Sequence, residues 1–163
     1  METSRRIVAG VMQEADLEGV VSIERASFPK PWGLDLFVKE LNNHNARCYV
    51  FRQQSALVGY LCFWVVMNEA HVQTIAVHPG HRGQGLGTEI MEFLEEQSLK
   101  EGANRIILEV ARRNQRARGL YKKCGFSSIG FRKQYYVDQN DDALVMEKWV
   151  AMSENKTSSG SGI

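Results

Sequence analysis

Between Thr74 and Thr88 the chain reads T-I-A-V-H-P-G-H-R-G-Q-G-L-G-T. A β-branched strand, Thr74 to Val77, breaks at His78-Pro79-Gly80 and gives way to glycines at 80, 83, 85 and 87. Helical periodicity follows at once through Leu86, Ile90, Phe93, Leu94 and Gln97. Strand, glycine loop and helix start form the layout that receives phosphate. Glycines let a ligand approach the backbone, and the first N–H groups of a helix have no internal partner. A second chemical feature is Glu109, a carboxylate inside the apolar run R-I-I-L-E-V. Burying a carboxylate is costly without a reason. Strand alternation pairs Glu109 with Ile107 on one face and Ile106 with Leu108 on the other, which fits either a reactive group or the solvent side of a half-buried strand.

Spacing narrows the phosphate loop. A P-loop needs G-x-x-x-x-G-K-[ST], and the chain holds no Gly-Lys pair. A dinucleotide fingerprint needs G-x-G-x-x-G, but Thr88 stands three after Gly85, and Ile90 three after Gly87. What remains is R-G-x-G-x-G, Arg82 to Gly87. Its backbone N–H groups from Gly83 through Gln84, Gly85, Leu86 and Gly87 to Thr88 are the donors such a loop offers to a phosphate group, and Arg82 either adds charge or is a solvated loop residue.

The surrounding elements follow in order. Ile7 to Met12 reads as a first strand, and Asp16 as the N-cap of a helix to about Ser27 with Leu17, Val20, Val21 and Ile23/Glu24 as its stripe. Phe28-Pro29-Lys30-Pro31-Trp32-Gly33 breaks the chain before a second helix, Leu34 to Leu41. Arg47 to Gln53 and Ala56 to Met67 are strands around a turn at 53–55, and His71 to Val77 leads to the glycine loop. The loop helix stops near Gly102, and Arg105 to Val110 is a buried-type strand. Asn114 caps a helix from Gln115 to Cys124, and Phe126 to Val137 and Ala143 to Val150 close the chain as strands. The order β-α-α-β-β-β-α-β-α-β-β predicts an α/β mixed sheet of about seven strands with helices on both faces. One domain is expected over 1–150, with 151–163 a polar, frayed tail.

Composition limits the partners. A formal net charge of +1 argues against bulk electrostatic binding to nucleic acid or membrane. The three cysteines form no C-x-x-C pair and are expected as reduced thiols of a cytoplasmic protein. No secretory signal pattern is read at the N-terminus, and the most apolar run, Leu57 to Met67, is too short to span a bilayer. The histidines at 71, 78 and 81 make no metal set. The basic run Arg112, Arg113, Arg116 and Arg118 reads first as a solvated helix face.

Arg82-Gly83-Gln84-Gly85-Leu86-Gly87, preceded by I-A-V-H-P, resembles the acetyl-CoA loop of the GNAT N-acetyltransferases. Further motifs look like the RimI-type branch, the bacterial ribosomal-protein alanine acetyltransferases. They are L-E-V-x-x-x-N at 108–114, L-Y-x-x-x-G-F at 120–126, R-x-x-Y-Y at 132–136, D-A-L-V-M at 142–146 and S-F-P-x-P-W at 27–32. Gly33 departs from the serine common in that branch, which removes a helix cap. The resemblance covers roughly residues 5 to 150 and implies the GNAT acyl-CoA N-acyltransferase fold. It implies acetyl-CoA as cosubstrate without a metal, its pantetheine arm paired along Ile75, Ala76 and Val77, with Asn114 on the arm's other side. The Val77 N–H is then a candidate oxyanion donor. Glu109 takes the place of the general base and Tyr121 that of the acid protonating the departing thiolate.

Direct transfer to an amine is expected, with Cys124 a helix-end packing residue. The acceptor, the N-terminal peptide of a ribosomal protein, is expected along Phe28, Trp32, Tyr135 and Tyr136, most specifically the N-terminal alanine of small-subunit ribosomal protein S18. No direct nucleic-acid or membrane contact is expected. Two alternatives stay open: a GNAT enzyme acting on other N-termini, lysine or small amines, and a non-catalytic acetyl-CoA-binding module. A lysine amine, with its higher pKa of about 10.4, would ask for a stronger base than an α-amine near 7.7–8.0.

Overall fold

The computed structural model describes residues 6–136 and 141–150, and of residues 134–136 and 141 the backbone alone. The polar segment 151–163 lies outside the described residues. The elements are β1 (Val8–Val11), a 3-10 turn at Glu14–Asp16, α1 (Leu17–Ser27), α2 (Leu34–Leu41), β2 (Ala46–Gln53), β3 (Ala56–Val66) and β4 (Glu69–Val77). A second 3-10 turn at Pro79–His81 precedes α3 (Leu86–Lys100), β5 (Arg105–Ala111), α4 (Gln115–Lys123), β6 (Ser127–Tyr136) and β7 (Asp141–Trp149). The order is the expected one, with ends shifted by one or two residues. The strands run β1-β2-β3-β4-β5-β7-β6 in a seven-stranded sheet, with β4 parallel to β5 and the β1-β2, β2-β3, β5-β7 and β7-β6 pairs antiparallel.

Two compact units make up the chain. One holds the chain up to Trp64 together with Val72–Leu94, the other Val65–His71 and the chain from Glu95 onward. In the first, strand alternation sends Cys48 and Val50 of β2 and Tyr60 and Cys62 of β3 into a core with Val20, Ile23 and Phe37 of α1 and α2. The opposite face carries Tyr49 and Phe51, and Phe93 of α3 meets both edge-on, with ring centroids 4.8 and 5.2 Å apart. Helices therefore cover both faces of these strands. The β2–β3 hairpin closes through Gln54 and Ser55 with φ of 51° and 75°, the twist a two-residue turn demands.

In the second unit, β5 joins the first three residues of β4 in parallel register: Glu69↔Arg105, Ala70↔Ile106 and His71↔Ile107. Arg105 pins this edge, donating to Glu69 at 2.8 Å and to Glu147 at 2.6 Å. The Arg105 hydrogen bond holds the Glu69 carboxyl below its ordinary value, with His71 adding to it. Among the described residues no helix is long and apolar enough to cross a membrane.

One expected cap is corrected. Asp16 stands in the helical region (φ −84°, ψ −14°) and makes no cap bond to α1. Its carboxylate instead accepts the Gln13 N–H at 2.7 Å and Arg52 Nη2 at 2.6 Å. Asp16 belongs to the preceding 3-10 turn, and its two oxygens serve that turn and β2 rather than the first turn of α1.

Candidate active site

The backbone of β4 presents two sets of groups. His78 N donates to Val58 O at 2.7 Å, so the even-numbered residues here turn their backbone groups toward β3. By alternation the N–H and C=O of Ile75 and Val77 point the other way, while Thr74 and Ala76 are buried. His78 Nδ1 then accepts from Gly80 N at 2.9 Å, which tightens the chain into the Pro79–His81 turn. Gly83 and Gly85 take φ of 81° and 84°, a region where a Cβ is strained, and this reverses the chain into α3. Gly83, Gln84 and Gly85 are exposed, Leu86 is buried, and Gly87 and Thr88 lie half-buried in the first turn of α3.

Arg82 is not a solvated loop residue. Its Nε donates to Val77 O at 3.0 Å and its Nη2 to Ser27 Oγ at 2.8 Å. The loop is thereby tied to the end of β4 and the end of α1. On its other flank, Arg6 donates to Gln84 O and pairs with Glu89 at 3.1 Å.

The turn after α1 carries Phe28 and Trp32, both partly buried against the α1–α2 core, with Trp32 5.1 Å from Phe37. Beneath it lies Glu24, only 2% exposed. Its Oε1 accepts from Tyr60 OH and from Thr74 Oγ1 at 2.9 Å, and its Oε2 accepts the Trp32 N–H at 2.9 Å. These three neutral donors offset the cost of desolvating the carboxylate. Burial first, and then the Glu24 charge, pushes the Tyr60 phenol far above its ordinary value, so it stays a donor. In the sequence Glu24 belongs to the apolar stripe of α1, and no motif there gives it a role. The signal was there: Leu17, Val20, Val21 and Glu24 follow the i, i+3, i+4, i+7 pattern, so a carboxylate occupies a core position.

In the second unit, Glu109 does not sit in the core of β5. Ile106, Leu108 and Val110 are buried, and Glu109 stands on the alternate, half-buried face with its side chain 30% exposed. Arg132 of β6 reaches across β7 to donate to its Oε2 at 2.9 Å. The pair is invisible in the sequence, because the last strand β7 inserts between β5 and β6 in the order β5-β7-β6. Asn114 caps α4, its Oδ1 accepting from Ala117 N at 3.1 Å. Tyr121 is buried at 7% exposure on the same helix, its ring 6.1 Å from that of Phe126. Tyr135 and Tyr136 fall on β6, but their side chains lie outside the described residues. In the basic run, Arg118 donates to Arg112 O at 2.7 Å and Arg112 lies 4.0 Å from Asp142. Cys124 is half-buried at the end of α4.

Comparison with known proteins identifies the family. A model of the Acetyltransferase (GNAT) family matches residues 17–126. A Bacillus subtilis (strain 168) protein, provisionally named a ribosomal protein bS18-alanine N-acetyltransferase, is 40% identical over 144 residues, 88% of this chain and 94% of that protein. The ribosomal protein bS18-alanine N-acetyltransferase of Escherichia coli (strain K12) is 30% identical over 145 residues, 86% of this chain and 96% of that protein. The crystal structure of the ribosomal-protein alanine N-acetyltransferase from Escherichia coli superposes with a TM-score of 0.82 at 28% identity, covering 90% of this chain and 96% of that one. Ard1 from Thermoplasma volcanium shares the fold, with a TM-score of 0.83 at 22% identity. The chain belongs to the GNAT acetyltransferase family.

Proposed function

We propose that the protein transfers the acetyl group of acetyl-CoA to the α-amine of a protein N-terminus, the N-terminal alanine of ribosomal protein bS18. One observation carries the cosubstrate: the exposed Gly83-Gln84-Gly85 turn, both glycines at positive φ, that runs directly into the N-terminus of α3. Its amides, with the positive end of the helix dipole, receive the pyrophosphate. The acceptor is supported by the relatives of that name, which this chain matches over nearly their whole length.

The residues divide the work. The backbone of Ile75 and Val77, turned away from β3, meets the amides of the pantetheine arm, and Ala76 between them anchors the strand in the core. Arg82 holds the Val77 carbonyl, so the Val77 N–H is the group that meets the thioester oxygen as charge develops there. Asn114 flanks the arm while capping α4. The amine nitrogen attacks the thioester carbon; a C–N bond forms and the C–S bond breaks. Glu109 accepts the proton lost by the amine, directly or through water, and Tyr121 donates one to the departing thiolate. Glu109 is held by Arg132 in an orientation that leaves Oε1 for this task. Phe28 and Trp32, with Tyr135 and Tyr136, line the acceptor peptide.

The test uses the protein, acetyl-CoA and peptides that differ only in their first residue or in blocking of the α-amine. Acetylation of the free α-amine of an alanine peptide, read by mass, is the expected result. Acetylation confined to internal lysine would overturn the N-terminal assignment, and tight acetyl-CoA binding without turnover would overturn the enzymatic one.

A further inference from the structure

The turn between α1 and α2 is poor in backbone donors, since Pro29 and Pro31 have no N–H. Both of its ends are fastened to one residue. The Phe28 N–H donates to the backbone oxygen of Glu24 at 3.1 Å, and the Trp32 N–H to the Glu24 carboxylate at 2.9 Å. The first bond only continues the ladder of α1. The second spans eight residues and depends on where the carboxylate is held.

That position is set by the sheet. Oε1 is taken by Tyr60 of β3 and Thr74 of β4, which leaves Oε2 to meet the turn. Thr74 stands three residues before Val77 on the same strand. Glu24 thus links a turn proposed to line the acceptor with the strand proposed to carry the thioester. Nearby, Arg82 ties the glycine loop to Ser27, one residue before the turn.

We infer that Glu24 is a positioning residue for the acceptor: its buried carboxylate, braced by Tyr60 and Thr74, sets the Phe28–Trp32 turn at a fixed spacing from β4. The inference rests on the proposal that this turn lines the acceptor. Loss of the side chain frees the Trp32 end while the Phe28 end stays bonded, so the turn opens rather than unravels. The cofactor loop, held by Arg82 and α3, keeps its form.

The experiment compares Glu24→Ala, Glu24→Gln and Thr74→Val with the native protein, using whichever amine the native protein acetylates. In Glu24→Ala the KM for the acceptor should rise about tenfold, the loss of one well-placed hydrogen bond. Affinity for acetyl-CoA, measured by calorimetry, should stay within about twofold of native and kcat should fall less than KM rises. Exchange of the Trp32 amide proton should quicken by about tenfold or more. Glu24→Gln should restore most of the acceptor KM, because its amide oxygen can accept the Trp32 N–H while its NH2 donates to the hydroxyls of Tyr60 and Thr74. Should the alanine variant fail to fold, Thr74→Val decides. It removes one brace and should raise acceptor KM about threefold. A folded alanine variant with native acceptor KM, an equal loss of acetyl-CoA affinity, a glutamine variant no better than alanine, or native KM in Thr74→Val would each overturn the inference. A native protein that acetylates lysine alone would overturn the N-terminal assignment while leaving the Glu24 comparison intact on that substrate.

Discussion

Two glutamates stand in apolar stretches of this chain, and their surroundings treat them in opposite ways. Glu24 takes a core position on α1, is 2% exposed, and meets only neutral donors from β3, β4 and the following turn. Glu109 takes the half-buried face of β5, is 30% exposed, and meets one arginine through one oxygen. The first carboxylate is sealed from solvent, and both of its oxygens accept donors from the protein. The second keeps an oxygen and an exposed edge. A carboxylate in an apolar run is thus not by itself a sign of catalysis. Its partners decide whether it holds structure in place or exchanges protons.

The contrast predicts that turnover and stability separate between the two. Glu109→Gln should lower kcat about 10²- to 10³-fold near pH 7, the range for a positioned base. The deficit should be largest at low pH, where more of the amine carries a proton to be removed, and a pH–rate profile of both proteins checks this. Its stability should change by less than about 1 kcal/mol, because the lost partner is a half-exposed ion pair. Equal rates in variant and native protein would dissolve the comparison from one side.

Glu24→Ala should do the reverse on stability. It leaves two buried hydroxyls and one amide without an acceptor, a loss of about 3 kcal/mol by denaturant titration. A loss near zero would mean that water or rearrangement replaces the carboxylate. Tyr121→Phe sharpens the contrast within the second unit, since it keeps the buried ring against Phe126 and deletes only the hydroxyl. Transfer should slow by about tenfold or more with acetyl-CoA affinity unchanged, as single-turnover rates and calorimetry would show.

Asp16 supplies an intermediate case: 10% exposed and paired with Arg52. Burial opposes its charge, but the Gln13 amide and Arg52 outweigh it and hold the carboxyl below its ordinary value. The folded pKa is therefore lower than the unfolded one of about 3.9. The pair's contribution, about 1 kcal/mol, is fully present above that pH and is lost as pH falls through the folded value. Asp16→Asn should lie below the native protein in stability at pH 6 and converge with it in strong acid.

Much of the fold was legible because its signals are local. The residue pattern found the seven strands and four α-helices of the described residues, and the glycines at 83 and 85 marked one of the places where positive φ is needed, the hairpin turn at Gln54 and Ser55 being another. Asn114 as a cap was legible for the same reason, since its bond spans only three residues. The misjudged cap at Asp16 shows the limit. Asp16 does stand at the cap position, but its two oxygens are taken by the Gln13 amide behind it and by a guanidinium 36 residues away.

By itself the amino-acid order determined the element sequence, the phosphate-type turn and the membership of the acetyltransferase family, because each depends on residue types within a few positions of one another. Only the tertiary structure decided what the charged side chains do. Arg82 turned back onto Val77 and Ser27, Arg132 met Glu109 across β7, and Glu24 gathered Tyr60, Thr74 and the Trp32 amide. Those bonds join residues from five to 55 positions apart. Sheet order and helix packing set them, and no local pattern in the chain encodes them.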